Sequence, residues 1–460
     1  MTPSPVSVPK SAPFPVATEG GPWRVGTLAY TTGGLAVLFC WLLWGDFAWS
    51  MRERSVTWVM QLLLKKFEAS DFVASLLLGT LPSAIAMIVS PVVSYRSDRH
   101  RGPWGRRIPF LVLPTPFIVL SMLGLAYSSE LGAALHSVMG SRSPGLNPSI
   151  LIVLAVFWTT FEVSVIVAGA VFGGLINDVV PQRFLGRFYG LFRALSLIAG
   201  IIFNYWLLAK AERHYTWVFF GIAVLYGFGF TLMCVKVKEG EYPPPPPPQA
   251  RGNVRLYFKE CFGNAHYVWI FAAMTCSGIA FAPIFMFSVF FAHSVGMSMA
   301  DYGKAIALMY MVSLGLSYPL GVLTDRFHPL RTGIAALILH AAVVLWGGLY
   351  ARDAATFGLA LVSEGVLAGV WWTCTASLGQ RLYPRARFAE LASAQGILGG
   401  LASMFLAPGI GLFLDHTGHV YRYTFLISFG LTLLTLATLL VVHARFMALG
   451  GTKGYVPPAC

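Results

Sequence analysis

Charge is what this sequence has least of. Only 11% of its 460 residues are Asp, Glu, Lys or Arg, less than half the ~25% usual in soluble proteins. Meanwhile 56% are hydrophobic and the mean hydropathy is +0.68. So much apolar surface cannot be hidden in a core, which excludes a water-soluble globular protein and makes the bilayer the expected solvent. Cysteine chemistry is equally thin. Cys40, Cys234, Cys261, Cys276, Cys374 and Cys460 form no CxxC pair and have no His at metal-binding spacing, so they read as small buried hydrophobes, with no metal centre and no cofactor expected. There is no HExxH, GxSxG, Asp-rich or P-loop motif to support a polytopic enzyme or an ATP-driven pump. No basic n-region leads into a cleavable apolar stretch near residue 20, so no secretory signal peptide is expected.

What the chain does have is long apolar runs. Twelve are long enough to cross a bilayer: roughly 30–64, 72–95, 108–128, 149–176, 188–208, 216–235, 266–292, 302–323, 332–350, 356–380, 390–414 and 423–444. They divide six and six about a segment, 236–265, holding five Lys/Arg and the run Pro243 to Pro248, a stiff polyproline II spacer. The expected organisation is an N-terminal tail (1–29), a first six-helix bundle (30–235), the Pro-rich linker (236–265), a second bundle (266–444) and a C-terminal tail (445–460). The net charge of +13 follows topology: 21 of the 32 Lys/Arg fall on the side of the termini and linker, 7 on the other side, and 4 within spans. That asymmetry places both termini in the cytoplasm and argues against nucleic-acid binding.

The halves repeat. After span 2 comes Ser94-Tyr-Arg-Ser-Asp98-Arg99, then Gly105-Arg106-Arg107; after span 8 comes Gly321-Val-Leu-Thr-Asp325-Arg326. After span 4 comes Pro181-Gln-Arg183-Phe-Leu-Gly186-Arg187; after span 10 comes Pro384-Arg385-Ala-Arg387-Phe. Repeated six-helix halves suit a secondary transporter whose bundles rock about a central site. Asp98, Arg99, Arg106, Arg107, Asp325 and Arg326 read as a conformational latch, carboxylates at helix ends pairing with arginines of a neighbour; the alternative is a set of ordinary basic loops.

A G-x-x-x-D-R loop followed by basic residues, after the second and eighth helices, resembles the signature of the major facilitator superfamily over the whole chain. Ser94 departs from the usual Gly. The longer insertion His100-Arg-Gly-Pro-Trp-Gly105-Arg106-Arg107 resembles the glycoside-pentoside-hexuronide cation symporters and the sucrose/proton symporters, as do Gly45-Asp46-Phe47 and Phe157-Trp158 with Glu162. The resemblance implies an all-α membrane protein of twelve transmembrane helices in two pseudo-symmetric six-helix bundles. It also implies a monomeric carrier, a sugar or glycoside symporter of the inner cell membrane, without enzymatic activity.

An ionisable residue inside a span marks a site by default, because burying it unpaired in lipid is costly. Taken as one helix, span 1 sets Asp46, Ser50, Glu53 and Thr57 on one face, with Trp49 beside them and Arg54 about 80° away; taken as a helix ending near Trp49, it would put these charges in an outer loop. The stripe suits sugar binding, carboxylates and guanidinium meeting hydroxyls and the indole meeting a ring face. Arg52 points away from it, toward another helix. Glu162 in span 4 and Glu364 in span 10 are near-equivalents across the repeat, and Arg193 in span 5 is the expected partner of Glu162. The resemblance implies the same, an acid on helix 4 and an arginine on helix 5 coupling binding to H+. For each acid a structural ion pair is the alternative, and Na+ coupling stays open. Asn204, Gln395, Tyr310, Trp371 and Trp372 are candidate cavity residues, whereas His340 reads as a core histidine. A drug, peptide or pigment-precursor cargo is the alternative to sugar.

Overall fold

In hydrocarbon every backbone N–H and C=O must be satisfied within the segment, and an apolar run of ~20 residues achieves this as an α-helix. The computed structural model describes residues 23–241, 261–384 and 387–458; the proline run Pro243–Pro248, Arg385 and Cys460 lie outside the described residues. Among those described, eleven helical stretches are long and apolar enough to cross a membrane. One of them, Arg183–Lys236, has 54 residues, over twice what a bilayer requires at ~1.5 Å per residue. It contains the expected spans 5 and 6, separated by a π-helical turn at Phe203–Leu207 and by His214, whose φ of −128° and ψ of 42° are not helical. Counted this way, the expected crossings are present.

Span 1 is a single helix, Thr32–Lys66, so its central charges do not form an outer loop. Thr31 starts it by accepting the Gly34 N–H at 3.1 Å, and Lys65 and Lys66 sit in its last turn, where the helix dipole favours cations. Span 2 is broken by a π-helical turn at Leu76–Thr80, between Asp71–Ser75 and Leu81–Arg99. The stretch expected as a plain N-terminal tail ends in a hairpin, Trp23–Val25 paired with Leu28–Tyr30. Trp23 packs edge-on against Phe184 with ring centroids 4.9 Å apart, and Thr27 accepts the Glu241 N–H at 2.8 Å. The C-terminal tail is likewise docked: Tyr455 donates to the Leu382 carbonyl at 2.9 Å, and Tyr267 to the Pro458 carbonyl at 2.6 Å.

The packing repeats with a period of six spans. In the first half span 1 packs on 5 and 6, 2 on 4, and 3 on 4 and 6; in the second, span 7 packs on 11 and 12, 8 on 10, and 9 on 10 and 12. Between halves the contacts exchange symmetrically, 2 with 11 and 5 with 8. These seams are tightest at the end away from the termini. There Asp415 accepts the backbone N–H groups of Asp71 (2.9 Å) and Phe72 (3.0 Å), while Asp71 accepts from the Tyr421 hydroxyl (2.9 Å) and contacts His419 Nδ1 (2.7 Å). Two glycines permit the close approach: a Cβ on Gly303 would collide with the Asn204 carbonyl, and one on Gly411 with Ser75 and the Asp71 carbonyl.

Replacing Gly303 with Leu should therefore push spans 5 and 8 apart at this end. Overpacking of this kind costs about 1–3 kcal/mol, enough to shift a two-state equilibrium by roughly tenfold. Labelling of a cysteine substituted for Ser75, buried in the opposite seam, by a membrane-impermeant maleimide should rise accordingly; unchanged labelling would show that the two seams do not open together.

Candidate functional site

Between the bundles lies a cavity of about 830 Å³, within the range of small-molecule sites. Span 1 supplies Asp46, Trp49, Ser50, Glu53, Arg54 and Trp58; span 5 supplies Tyr189, Arg193 and Ser196; spans 7, 8 and 10 add Ser288, Tyr310, Ser313, Glu364 and Trp372. The helical stripe expected of span 1 thus faces the cavity from Asp46 to Arg54. Asp46 is only 4% exposed, and its Oδ2, itself buried, has no hydrogen-bond partner. Arg54 donates through Nε and Nη2 to Ser196 (3.3 and 3.2 Å) and through Nη1 to Tyr310 (3.3 Å). These bonds link span 1 to span 5 and, across the seam, to span 8.

The acid-base pairing differs from the sequence expectation. Arg193 does not pair with Glu162: it donates to Thr373 Oγ1 at 2.9 Å, joining spans 5 and 10, and the charge of Arg54 also acts on it. The cation acting on Glu162 is Arg52, whose guanidinium lies 4.2 Å from the centroid of the Trp49 ring. The helix rotation explains the exchange, since Arg52 projects off the cavity stripe toward span 4, whereas Arg193 lies on the cavity wall. Neither Glu162 nor Arg52 is in that wall. Glu364 is, and it is 3.7 Å from His340 Nε2, whose Nδ1 is 3.0 Å from Thr432 Oγ1.

Three expected cavity residues lie elsewhere. Asn204 is buried at the seam and donates to the Gly200 carbonyl at 2.8 Å. Trp371 is buried within the second bundle, its neighbour Trp372 taking the cavity position. Gln395 accepts from the Tyr383 hydroxyl at 2.8 Å, outside the cavity wall. A one-residue helical step turns a side chain by about 100°, which adjacent aromatic residues such as these two tryptophans cannot reveal in sequence.

At the end bearing the termini, Asp98 pairs with Arg107 at 2.5 Å, and Asp178 receives both Arg106 (2.5 Å) and Arg107 (3.2 Å). Glu239, beyond span 6, accepts the backbone N–H groups of Arg106, Arg107 and Ile108 at 3.0, 2.7 and 2.7 Å. An acid at this helix start satisfies donors that the helix leaves unpaired. The Asp98 pair therefore joins helix ends within one bundle, whereas the latch expectation linked neighbouring helices to hold the two bundles. Arg99 stacks on Tyr95 at 3.8 Å and Arg326 lies 5.5 Å from the Phe327 ring centroid; the side chain of Asp325 is outside the described part. Asp178 and Glu239 escaped the sequence reading because neither falls inside the repeated loop motif.

Two pseudo-symmetric bundles around a central cavity, its wall mostly apolar with a few charged side chains set into it, define a membrane transporter architecture. The sequence profile of the Major Facilitator Superfamily matches residues 47–408, and the chain belongs to that superfamily. It is a multi-pass integral membrane protein that transports small molecules. No curated protein matches it. Among solved structures, a bacterial homologue of the human lysosomal transporter Spinster, inward-facing and unoccupied, superposes with a TM-score of 0.64 at 13% identity, covering 91% of this chain and 98% of that one. A D-xylose-proton symporter superposes with a TM-score of 0.64 at 14% identity, covering 89% and 97%. The nucleoside transporter NupG gives a TM-score of 0.60 at 12% identity, covering 88% and 99%. At these identities the likeness establishes the fold.

Glu239→Ala would leave three helix-start donors without their acceptor. A loss of about 2–4 kcal/mol is expected from charge-assisted bonds of this kind, read as a lower thermal midpoint of the purified protein; an unchanged midpoint would show that water replaces the carboxylate without cost.

Proposed function

We propose that this protein is a sugar or glycoside transporter working by alternating access, coupled to H+. The observation that carries the reading is the cavity wall of span 1, where Asp46, Glu53 and Arg54 offer hydroxyl-binding groups beside the apolar faces of Trp49 and Trp58. A sugar presents both surfaces, hydroxyls around its edge and C–H groups on its ring face. The fold likeness to a D-xylose-proton symporter supports the cargo class. Coupling to Na+ is the second reading, supported by two carboxylates, Asp46 and Glu53, in the cavity wall, whose hard oxygens suit that ion.

In this reading the bundles comprise residues 30–235 and 266–444, joined by a cytoplasmic linker over 236–265. Both termini are cytoplasmic, in keeping with the 21 Lys/Arg on their side, and the membrane is the inner cell membrane. The seam of Asp71, Asp415, His419 and Tyr421 then closes the outer end. Asp98, Arg106 and Arg107, paired within the first bundle, brace its inner end as the bundles rock, and the carrier functions as a monomer.

The test is uptake of labelled mono- and disaccharides into proteoliposomes under imposed H+ or Na+ gradients. Gradient-driven uptake of at least one sugar is expected in the wild type. Asp46→Asn should raise KM by about tenfold or more through loss of a charge-assisted hydrogen bond, and Glu162→Gln should abolish accumulation against a gradient while leaving exchange intact. Absence of sugar uptake under both gradients would overturn the cargo; accumulation surviving Glu162→Gln would overturn that coupling assignment.

A further inference from the structure

Arg52 is unusual among the charges inside the membrane. It is 3% exposed, and its Nε and Nη2 have no hydrogen-bond partner. Its guanidinium rests against three rings, 4.2 Å from the centroid of Trp49, 5.5 Å from Tyr226 and 5.8 Å from Phe161. Stacking on aromatic faces attracts a cation but leaves guanidinium N–H groups unsatisfied, a state that is costly in a buried site. Trp49 is itself a cavity-wall residue, supported by Phe172 at 5.3 Å and Phe230 at 5.6 Å between ring centroids. One side chain therefore touches the ligand cavity through Trp49 while remaining within electrostatic reach of Glu162 on span 4.

We propose that Arg52 is a positioning residue through which the charge on Glu162 sets the pose of the Trp49 indole in the cavity. When Glu162 is ionised, a charge-assisted bond to the unpaired guanidinium N–H groups competes with the aromatic face and draws Arg52 toward span 4. When Glu162 is protonated, that competition ends and the guanidinium rests on the indole. Binding of substrate against Trp49 then favours one protonation state of Glu162, although the acid does not touch the substrate. Among the described residues, the titratable groups facing this pair include Tyr226 of span 6, on which both Arg52 and Cys234 act. Glu53 acts on Asp46 and on Arg54. The inference rests on the reading of Glu162 as the coupling acid, but replaces Arg193 with Arg52 as its partner.

The test uses the full-length protein in nanodiscs and isolates the Trp49 contribution to fluorescence by difference against Trp49→Phe, across about pH 5 to 9. A pH-dependent Trp49 signal is expected in the wild type. Glu162→Gln and Arg52→Gln should each flatten it, and Arg52→Lys should restore part of the amplitude, since it keeps the cation but not the planar fork. In proteoliposomes, Arg52→Gln should raise the sugar KM several-fold and remove its pH dependence, with a smaller effect on maximal rate. A Trp49 signal that keeps its wild-type pH profile in Arg52→Gln, or in Glu162→Gln, overturns the proposal. Should Arg52→Gln not fold, Glu162→Gln and Arg52→Lys decide: a wild-type profile in Glu162→Gln, or no signal in Arg52→Lys, overturns it. If the fluorescence results are as expected but no sugar is taken up, the link from Glu162 to Trp49 stands and the sugar reading falls.

Discussion

A charge carried into hydrocarbon must find a partner within the protein or water in a cavity, and the arrangement of this molecule follows from that demand. Span 1 brings Asp46, Arg52, Glu53 and Arg54 into the membrane on a helix that would otherwise be an ordinary apolar crossing. Three of the four line the cavity between the bundles, while Arg52 turns behind it onto Trp49. Each such side chain constrains the helices around it. Arg54 needs Ser196 and Tyr310, and Arg193 needs Thr373, so the cavity wall is tied together by the same groups that would meet a ligand.

The seam works on the same principle with a different consequence. Asp71 is almost wholly buried, and its carboxylate is satisfied by Tyr421 and His419 from the other half of the chain. Asp415 returns the contact by accepting two N–H groups at the start of span 2. Such bonds are directional and end abruptly when the partners separate, unlike apolar contacts, which slide. Close glycine contacts at Gly303 and Gly411 let the backbones approach far enough for this geometry. Two rigid halves that meet through short polar contacts and small residues can exchange one packed arrangement for another without deforming either half.

Much of this was legible in the sequence, for identifiable reasons. Apolar length revealed the crossings, because backbone hydrogen bonding in lipid leaves few alternatives to a helix. The repeat showed itself in loop motifs, and the sixfold period of the packing has the same division. The stripe from Asp46 to Arg54 followed from helical periodicity alone, since all five residues lie on one element. The hairpin Trp23–Tyr30 and the docked residues around Tyr455 were not legible, because short polar-flanked segments acquire their structure from distant surfaces such as Phe184 and Leu382.

Relations between elements required the fold. Glu162 and Arg193 were natural partners by charge and topology, yet their rotations about separate helix axes send one toward Arg52 and the other toward Thr373. Asp71, Asp178 and Glu239 have no motif to mark them and gain their roles only from what faces them. By itself the sequence determined the solvent, the number of crossings, the twofold repeat and which face of span 1 is polar, since each depends on composition or on periodicity within one helix. Only the tertiary structure decided which charges meet, because pairing depends on the relative rotation of helices far apart in the chain.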